Sequence, residues 1–197
     1  MVAALTLAYD NHSPATWVYL ALHGTYGICW LLKHVAFPDP GWEVKGTVAG
    51  GAVVFGLLLT YWVAPFLLIS DVLGTDRPER PIWLLALCIS LHTFGIAVMM
   101  VSDAQKYFTL KVRSGLITDG MFKYIRHPNY MGEMLIYGSY ALLVGHWIPW
   151  AILVFWWLTI FVPNMHTIAN SLSRYPEWDA YKKRTGMVLP RLLTGGV

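Results

Sequence analysis

Residues 81–102 read PIWLLALCISLHTFGIAVMMVS, a run without a single Asp, Glu, Lys or Arg. A helix that crosses the hydrocarbon core of a bilayer needs about 20 predominantly apolar residues, and a helix satisfies its own backbone there. The stretch predicts a membrane span, and the sequence on either side repeats the pattern. Thr47 to Ser70 is a second apolar run, where Gly46, Gly50, Gly51 and Gly56 offer small surfaces to a neighbouring helix and Pro65 a kink near the end. Thr16 to Val35 is a third, carrying Tyr19, His23, Gly24, Tyr26 and Gly27 and closing at Lys33-His34 before the turn Phe37-Pro38-Asp39-Pro40-Gly41.

Downstream the hydropathy collapses. Asp103 to Tyr130 holds Asp103, Lys106, Lys111, Arg113, Asp119, Lys123, Arg126 and His127, so this segment is not expected to cross a bilayer. Met131 to Val162 is apolar again but is broken by Gly145-His146-Trp147-Ile148-Pro149. A single helix of about 32 residues would measure about 48 Å, so a tight hairpin of two helices of about 15 residues each fits better. Pro176-Glu177-Trp178-Asp179-Ala180-Tyr181-Lys182-Lys183-Arg184 reads as a short interfacial helix with an acidic start and a basic end.

Composition agrees with this pattern. The chain is 56% hydrophobic and only 13% charged, with a mean hydropathy of +0.50, against about 25% charged in a soluble domain. Trp and Tyr gather near the ends of the apolar runs, where amphipathic rings favour headgroups. Cys29 and Cys88 both lie in apolar runs and imply neither a disulfide nor a zinc site. His23, His92 and His146 stand alone and read as core or interface residues, so no metal is expected. The net charge of +3 is not gathered into a basic run, so no nucleic acid is expected as a partner. Met1 to Asn11 lacks the basic start of a cleavable signal peptide, so the first hydrophobic segment is expected to be retained.

The expectation is an all-α integral membrane bundle in a single domain, residues 1–197, whose partner is the lipid bilayer. It has about five transmembrane helices including the C-terminal hairpin, plus the short interfacial helix. Residues 1–102 supply three spans on the lipid-substrate side, and residues 103–197 the polar half. Placing Asp103–Tyr130 on the cytosolic side puts twelve of the fourteen Lys and Arg there, leaving only Arg77 and Arg80 outside. The membrane would be the plasma or inner membrane of a bacterium, or the endoplasmic reticulum of a eukaryote.

The hairpin draws two polar segments to that face and makes a pocket open to the cytosol around Arg126-His127-Pro128-Asn129-Tyr130. Arg126 with Lys106 or Lys111 can neutralise phosphates or a carboxylate, and Asn129 offers both donor and acceptor. Asp103 and Glu133 flank the segment. Glu133 follows Gly132 just inside an apolar helix, where an ionisable group is costly and marks function. Plainer readings exist for each: Arg126 and Lys123 as snorkelling anchors, Pro128 as a helix start, Glu133 as a charge complementing a helix dipole.

The run Gly120-Met121-Phe122-Lys123-Tyr124-Ile125-Arg126-His127-Pro128-Asn129-Tyr130-Met131-Gly132-Glu133 resembles the signature of a superfamily of small membrane enzymes. The superfamily includes the steroid 5-alpha-reductase C-terminal-like (DUF1295-type) proteins, the sterol C14 and C7 reductases, and the isoprenylcysteine and phospholipid methyltransferases. The resemblance extends from Ser102-Asp103-Ala104-Gln105-Lys106 to Tyr175-Pro176, Tyr181, Arg184-Thr185 and Pro190, about the C-terminal half. It implies a soluble adenine-containing cofactor entering from the cytosol and a lipophilic small-molecule substrate entering from the bilayer.

Asp103 with Gln105-Lys106, Phe122, Asn129-Tyr130 and Gly132-Glu133 are similar to the reductase branch, and Pro163 to Asn170 lacks the paired glutamates of the methyltransferases. The resemblance therefore implies an NADPH-dependent reductase of a C=C bond in a steroid- or isoprenoid-like substrate. The alternatives are a methyltransferase that uses S-adenosylmethionine and a non-catalytic scaffold. The residues implied for the cofactor are Asp103, Lys106, Lys111, Arg126, His127, Asn129 and Tyr130, with Asn164, His166 and Asn170 after the hairpin. Steroid reductases hold the substrate oxygen with a tyrosine and a glutamate from their first helices. Here the first three spans contain no glutamate, and Glu43 and Glu79 lie in loops. The catalytic candidates are therefore Tyr26 and Tyr61, as donors without an evident partner, and Glu133, which orients the cofactor shell.

Overall fold

A computed structural model describes residues 1–39, 46–73 and 79–191. Glu43, Lys45, Asp76, Arg77 and much of the Pro38-Asp39-Pro40-Gly41 turn lie outside the described residues. The protein is a helical membrane bundle, with α1 (Val2–Ala8), α2 (Pro14–Ala36), α3 (Val48–Ser70), α4 (Ile82–Val112), α5 (Pro128–Val144), α6 (Trp147–Leu172) and α7 (Trp178–Arg184). Three of these, α3, α4 and α6, are long and apolar enough to cross a membrane.

The N-terminus folds back as α1 and is anchored by Asn11. Its Nδ2 donates to the Leu68 and Ile69 carbonyls at the end of α3 (3.3 and 3.0 Å), and its Oδ1 accepts from the Thr16 hydroxyl (3.2 Å). Ser13 caps α2 by accepting from the Thr16 N–H, and Pro14 occupies the first turn, where its missing N–H costs nothing.

Two prolines mark irregular helical turns. In α3 the chain tightens into a 3₁₀ turn at Leu59–Trp62, just before Pro65. In α6 it widens into a π turn at Trp157–Phe161, just before Pro163. Each proline removes a backbone donor to the preceding turn, and the ladder changes pitch there.

Three sequence expectations about length and packing need correction. Helix α4 does not stop at Ser102 but runs ten residues further, to Val112, carrying Asp103, Lys106 and Lys111 on rigid backbone. The hairpin turns where it was read, at Gly145 in the left-handed region (φ 65°) and His146, whose Nδ1 accepts from the Ile148 N–H. Its second arm, however, is 26 residues long rather than about 15, because Pro149 sits in the tolerant first turn and Pro163 bends the helix without ending it. Among the described residues a Cβ on Gly51 or Gly56 would have nothing within 4 Å, and one on Gly50 would meet only Thr47 of its own cap, so no described helix packs on the small face of α3.

The close approach lies elsewhere, between Gly95 of α4 and Gly132 of α5. A Cβ on Gly132 would fall 2.6 Å from the Gly95 carbonyl oxygen and 2.8 Å from the Met99 nitrogen, and one on Gly95 would fall 2.7 Å from the Gly132 oxygen and 2.9 Å from Ile136. The two backbones touch, antiparallel, with no room for a side chain. Around this crossing sit the buried Tyr19, Cys88, Met99, Ile136, Tyr140 and Leu143. On the face away from the signature, Arg80 donates through Nη2 to the Val144 carbonyl and closes the C-terminal end of α5.

The crossing makes a direct prediction. Gly132→Leu overpacks the α4–α5 contact, at a cost of about 1–3 kcal/mol or more, and lowers the thermal midpoint of the purified protein in detergent. Gly56→Leu, placed where nothing lies within 4 Å, leaves the midpoint unchanged.

Candidate functional site

One face of α2 places Tyr26, Trp30 and Lys33 in a line at spacings of four and three residues, and α5 turns Glu133 and Tyr137 toward it. Tyr26 is the centre of the arrangement. Its hydroxyl donates to Glu133 Oε2 at 2.8 Å, lies 3.0 Å from the Tyr137 hydroxyl, and accepts from Trp30 Nε1 at 2.8 Å. Tyr61 of α3 stacks its ring between Tyr137 (4.8 Å) and Trp156 (5.5 Å), and Trp156 Nε1 donates to Thr60. The structure therefore supplies Tyr26 with an acidic partner from the signature segment itself. The three catalytic candidates, Tyr26, Tyr61 and Glu133, come together from three different helices.

Below this cluster, toward the signature face, Lys33 Nζ meets Asp103 Oδ2 at 2.5 Å, with side chains only 10% and 13% exposed. Lys33 also lies over the Trp30 ring at 4.7 Å. Above it, an apolar cavity of about 30 Å³ is lined by His23, Tyr61, Tyr137 and Tyr140, with Pro149 and Leu153 of α6. His92 and Tyr140 share a hydrogen bond of 3.1 Å beside that cavity, and the His23 Nδ1 is buried without a partner among the described residues.

The signature segment is held in place by the tail. Residues 124–127 run alongside 185–187: the Arg126 N–H donates to Gly186 O, the His127 N–H to Met187 O, and the Gly186 N–H to Tyr124 O. The Tyr181 hydroxyl donates to Phe122 O at 2.7 Å. Gln105 clamps the preceding turn, accepting from the Met121 N–H and donating to Asp119 O. Arg126 spends Nη1 on the carbonyls of Lys182 (3.1 Å) and Thr185 (2.5 Å), so it ties α7 to the signature as well as facing the pocket.

That pocket, about 200 Å³, is lined by Asp103, Lys106, Arg126, His127 and Asn129 together with Tyr175 and Tyr181. A second cavity of about 310 Å³ on the other flank of α4 shares Asp103 and Lys106 and adds Lys33 and Lys111. Of the residues expected at the cofactor, Tyr130 packs edge-on against Phe161 (4.9 Å), and neither Asn164 nor His166 lines either cavity. Asn170 is exposed and lines neither cavity. Among the described residues no group of three His, Cys, Asp or Glu is placed to hold a metal.

Sequence reasoning passed over Lys33, Trp30 and Tyr137. The signal was available in the spacing: Tyr19, His23, Tyr26, Trp30 and Lys33 fall on one stripe of α2, and Tyr130, Glu133, Tyr137 and Tyr140 on one stripe of α5.

His127 is 3% exposed, and its Nε2 has no hydrogen-bond partner among the described residues. Burial, with Arg126, His166 and Lys106 adding to it, pushes its imidazole down to about 4 from an ordinary value near 6.5. Unfolding lets the ring take up a proton that the folded protein refuses. This contribution to stability is therefore full above pH 6.5 and is lost as the pH falls toward 4. Thermal midpoints measured from pH 8 to pH 4 should fall across that window in the wild type and fall less in His127→Gln.

The pattern of the family described as "Protein of unknown function (DUF1295)" matches residues 49–185. The chain is 24% identical over 164 residues to the Delta(14)-sterol reductase of Methylotuvimicrobium alcaliphilum, a match covering 73% of this chain and 38% of that protein. It is 38% identical over 56 residues to an uncharacterized protein of Schizosaccharomyces pombe, covering 28% of this chain and 19% of the other. The chain thus spans well under half the length of these curated relatives. No solved structure matches it. The chain belongs to the DUF1295 family, whose members are steroid 5-alpha-reductase C-terminal-like.

Proposed function

We propose, from this membership and from the geometry around Tyr26, that the chain is a membrane-embedded reductase. It uses NADPH to saturate a C=C bond conjugated to an oxygen function in a lipophilic, steroid- or isoprenoid-like substrate. The observation that carries the reading is the Tyr26 hydroxyl, held by Glu133, Tyr137 and Trp30, with Tyr137 also lining a cavity walled by aromatic rings. A phenol fixed by a carboxyl partner in a water-poor site can hold a substrate oxygen and stabilise charge that develops there, which is worth about 10²–10³ in rate for a single donor. The cavity as it stands, about 30 Å³, accommodates only one or two water-sized groups, so a lipid enters as α2, α3 and α6 part around it.

The signature-face pocket fits an anionic cofactor in its donor set. Lys106 and Arg126 supply positive charge, Asn129 an amide, and the His127 Nε2 a buried atom still lacking a partner. NADPH, when bound, supplies a hydride; Lys106 and Arg126 would hold its phosphates and Asn129 would orient it. S-adenosylmethionine carries a cation and no phosphate. Among the described residues the one acid lining this pocket, Asp103, is already engaged by Lys33, and Glu133 is turned to Tyr26, which leaves the sulfonium without an unengaged carboxylate in the lining of this pocket. Five crossings with the signature on the cytosolic side complete the proposal, since α2 and α5 stand in the same bundle as the three long apolar helices.

Equilibrium titration of detergent-purified protein with NADPH and S-adenosylmethionine in parallel tests the reading. NADPH should bind, and Lys106→Gln should weaken it about tenfold to a hundredfold, the loss of a charge-assisted bond of about 1.5–3 kcal/mol. Lys182→Gln, exposed in the tail, should change it little. Binding of S-adenosylmethionine alone would overturn the assignment.

A further inference from the structure

Adding hydride and a proton across a C=C bond consumes one proton per turnover, and the donor cluster around Tyr26 is buried inside the bundle. Glu133 accepts from Tyr26 of α2; the other titratable groups whose charge reaches it are Lys33 of α2, Tyr61 of α3, Asp103 of α4, and Tyr130, Tyr137 and Tyr140 of its own helix. Between this cluster and the signature face lies the Lys33–Asp103 pair; Asp103 also lines the signature-face pocket, but Lys33 has no part in holding the cofactor or in the substrate donor. Burying a lysine and an aspartate in a membrane bundle is expensive, and such pairs in membrane proteins mark ion and proton pathways. Lys33 borders the 310 Å³ cavity at the signature face on one side, and on the other it lies 4.7 Å over the Trp30 ring, whose Nε1 donates to the same Tyr26 hydroxyl that donates to Glu133.

We propose that Lys33, steered by Asp103, is the proton-entry residue of this site, delivering protons from the cytosolic cavity to Glu133 and thence to Tyr26. This rests on the reductase reading for its purpose, and for its route on the buried Lys33–Asp103 pair, the cavity beside it and the contact of Lys33 with Trp30, which reaches Tyr26. The balance closes in four transfers. Hydride makes the C–H bond at the β carbon as the C=C π bond breaks, and Tyr26 gives its proton to the oxygen of the enolate so formed, whose enol then settles as a C–H bond at the α carbon. Glu133 returns a proton to the Tyr26 oxygen. The Lys33 ammonium gives one to the Glu133 carboxylate. The neutral Lys33 amine then recovers a proton from water in the cavity, with Asp103 drawing the ammonium back to its resting place. No redox equivalent is needed beyond the hydride already assigned to the cofactor.

Arginine separates a relay from a strut. A guanidinium keeps its charge and its pairing with a carboxylate but does not surrender its proton at any working pH. The test follows the protonation of Glu133 by time-resolved infrared spectroscopy after a pH drop, in the purified full-length chain, with the Glu133→Gln protein used to assign the signal. Lys33→Arg should keep the wild-type thermal midpoint and yet slow Glu133 protonation at least tenfold. Lys33→Met should slow it as much, and exogenous methylamine should restore part of the rate in Lys33→Met only. Protonation at the wild-type rate in Lys33→Arg, or a Glu133 signal that never changes with pH, would overturn the proposal. NADPH binding is measured on the same samples. If it is absent while the arginine variant is slow, the proton path stands and the reductase reading falls.

Discussion

A carboxylate and a lysine inside a bundle surrounded by lipid must find their partners within the protein, because the hydrocarbon offers none. The rest of this structure follows from how that demand is met. Glu133 is satisfied by Tyr26, and Lys33 by Asp103. Each bond ties α2 to a different helix of the antiparallel pair α4–α5. For both bonds to form, α4 and α5 have to stand close enough to present Glu133 and Asp103 to one stripe of α2. The contact of Gly95 and Gly132 sets that distance, since any larger residue at either place would strike backbone. Packing and polar pairing therefore specify the same arrangement.

The two ends of the bundle carry different chemistry. At the signature face, α4 projects ten residues beyond its apolar run and brings Asp103 and Lys106 to the rim of two cavities. The tail, laid along residues 124–127, completes the wall of one of them. Arg126 is central to that construction. Its guanidinium holds α7 through carbonyls while lining the pocket, so this basic residue before a helix is anchored by the tail rather than by lipid. Deeper in, the aromatic residues Tyr19, Tyr61, Tyr137 and Tyr140 make the walls of the apolar cavity.

Much of this was legible in the sequence. The apolar runs gave the helical membrane class, Gly145-His146 gave the hairpin turn, and Gly132 gave a close helix approach, because each depends on local composition or backbone freedom. The length of α4 was not legible. Charged residues end a hydrophobic run without ending a helix, and nothing from Asp103 to Val112 is a helix breaker. The face of α3 rich in glycine misled for the opposite reason: small residues permit a neighbour but do not supply one. The partner of Tyr26 was missed because it was sought in the early helices, where a resemblance placed it. Reading the period-seven stripes on α2 and α5 against each other would have put Tyr26 opposite Glu133.

The central claim is that hydride and proton meet a lipophilic substrate at Tyr26 and Glu133. It is tested most directly by where two labels end up. Purified protein is given a conjugated enone lipid with NADPH deuterated at its transferable position in ordinary water, and then with unlabelled NADPH in heavy water. The account predicts one deuterium at the β carbon from the cofactor in the first case and one at the α carbon from solvent in the second. It also predicts turnover lowered about a hundredfold or more in Tyr26→Phe and Glu133→Gln with NADPH binding unchanged. Reduction that proceeds at the wild-type rate in both variants, or saturated product without cofactor-derived deuterium, would contradict it.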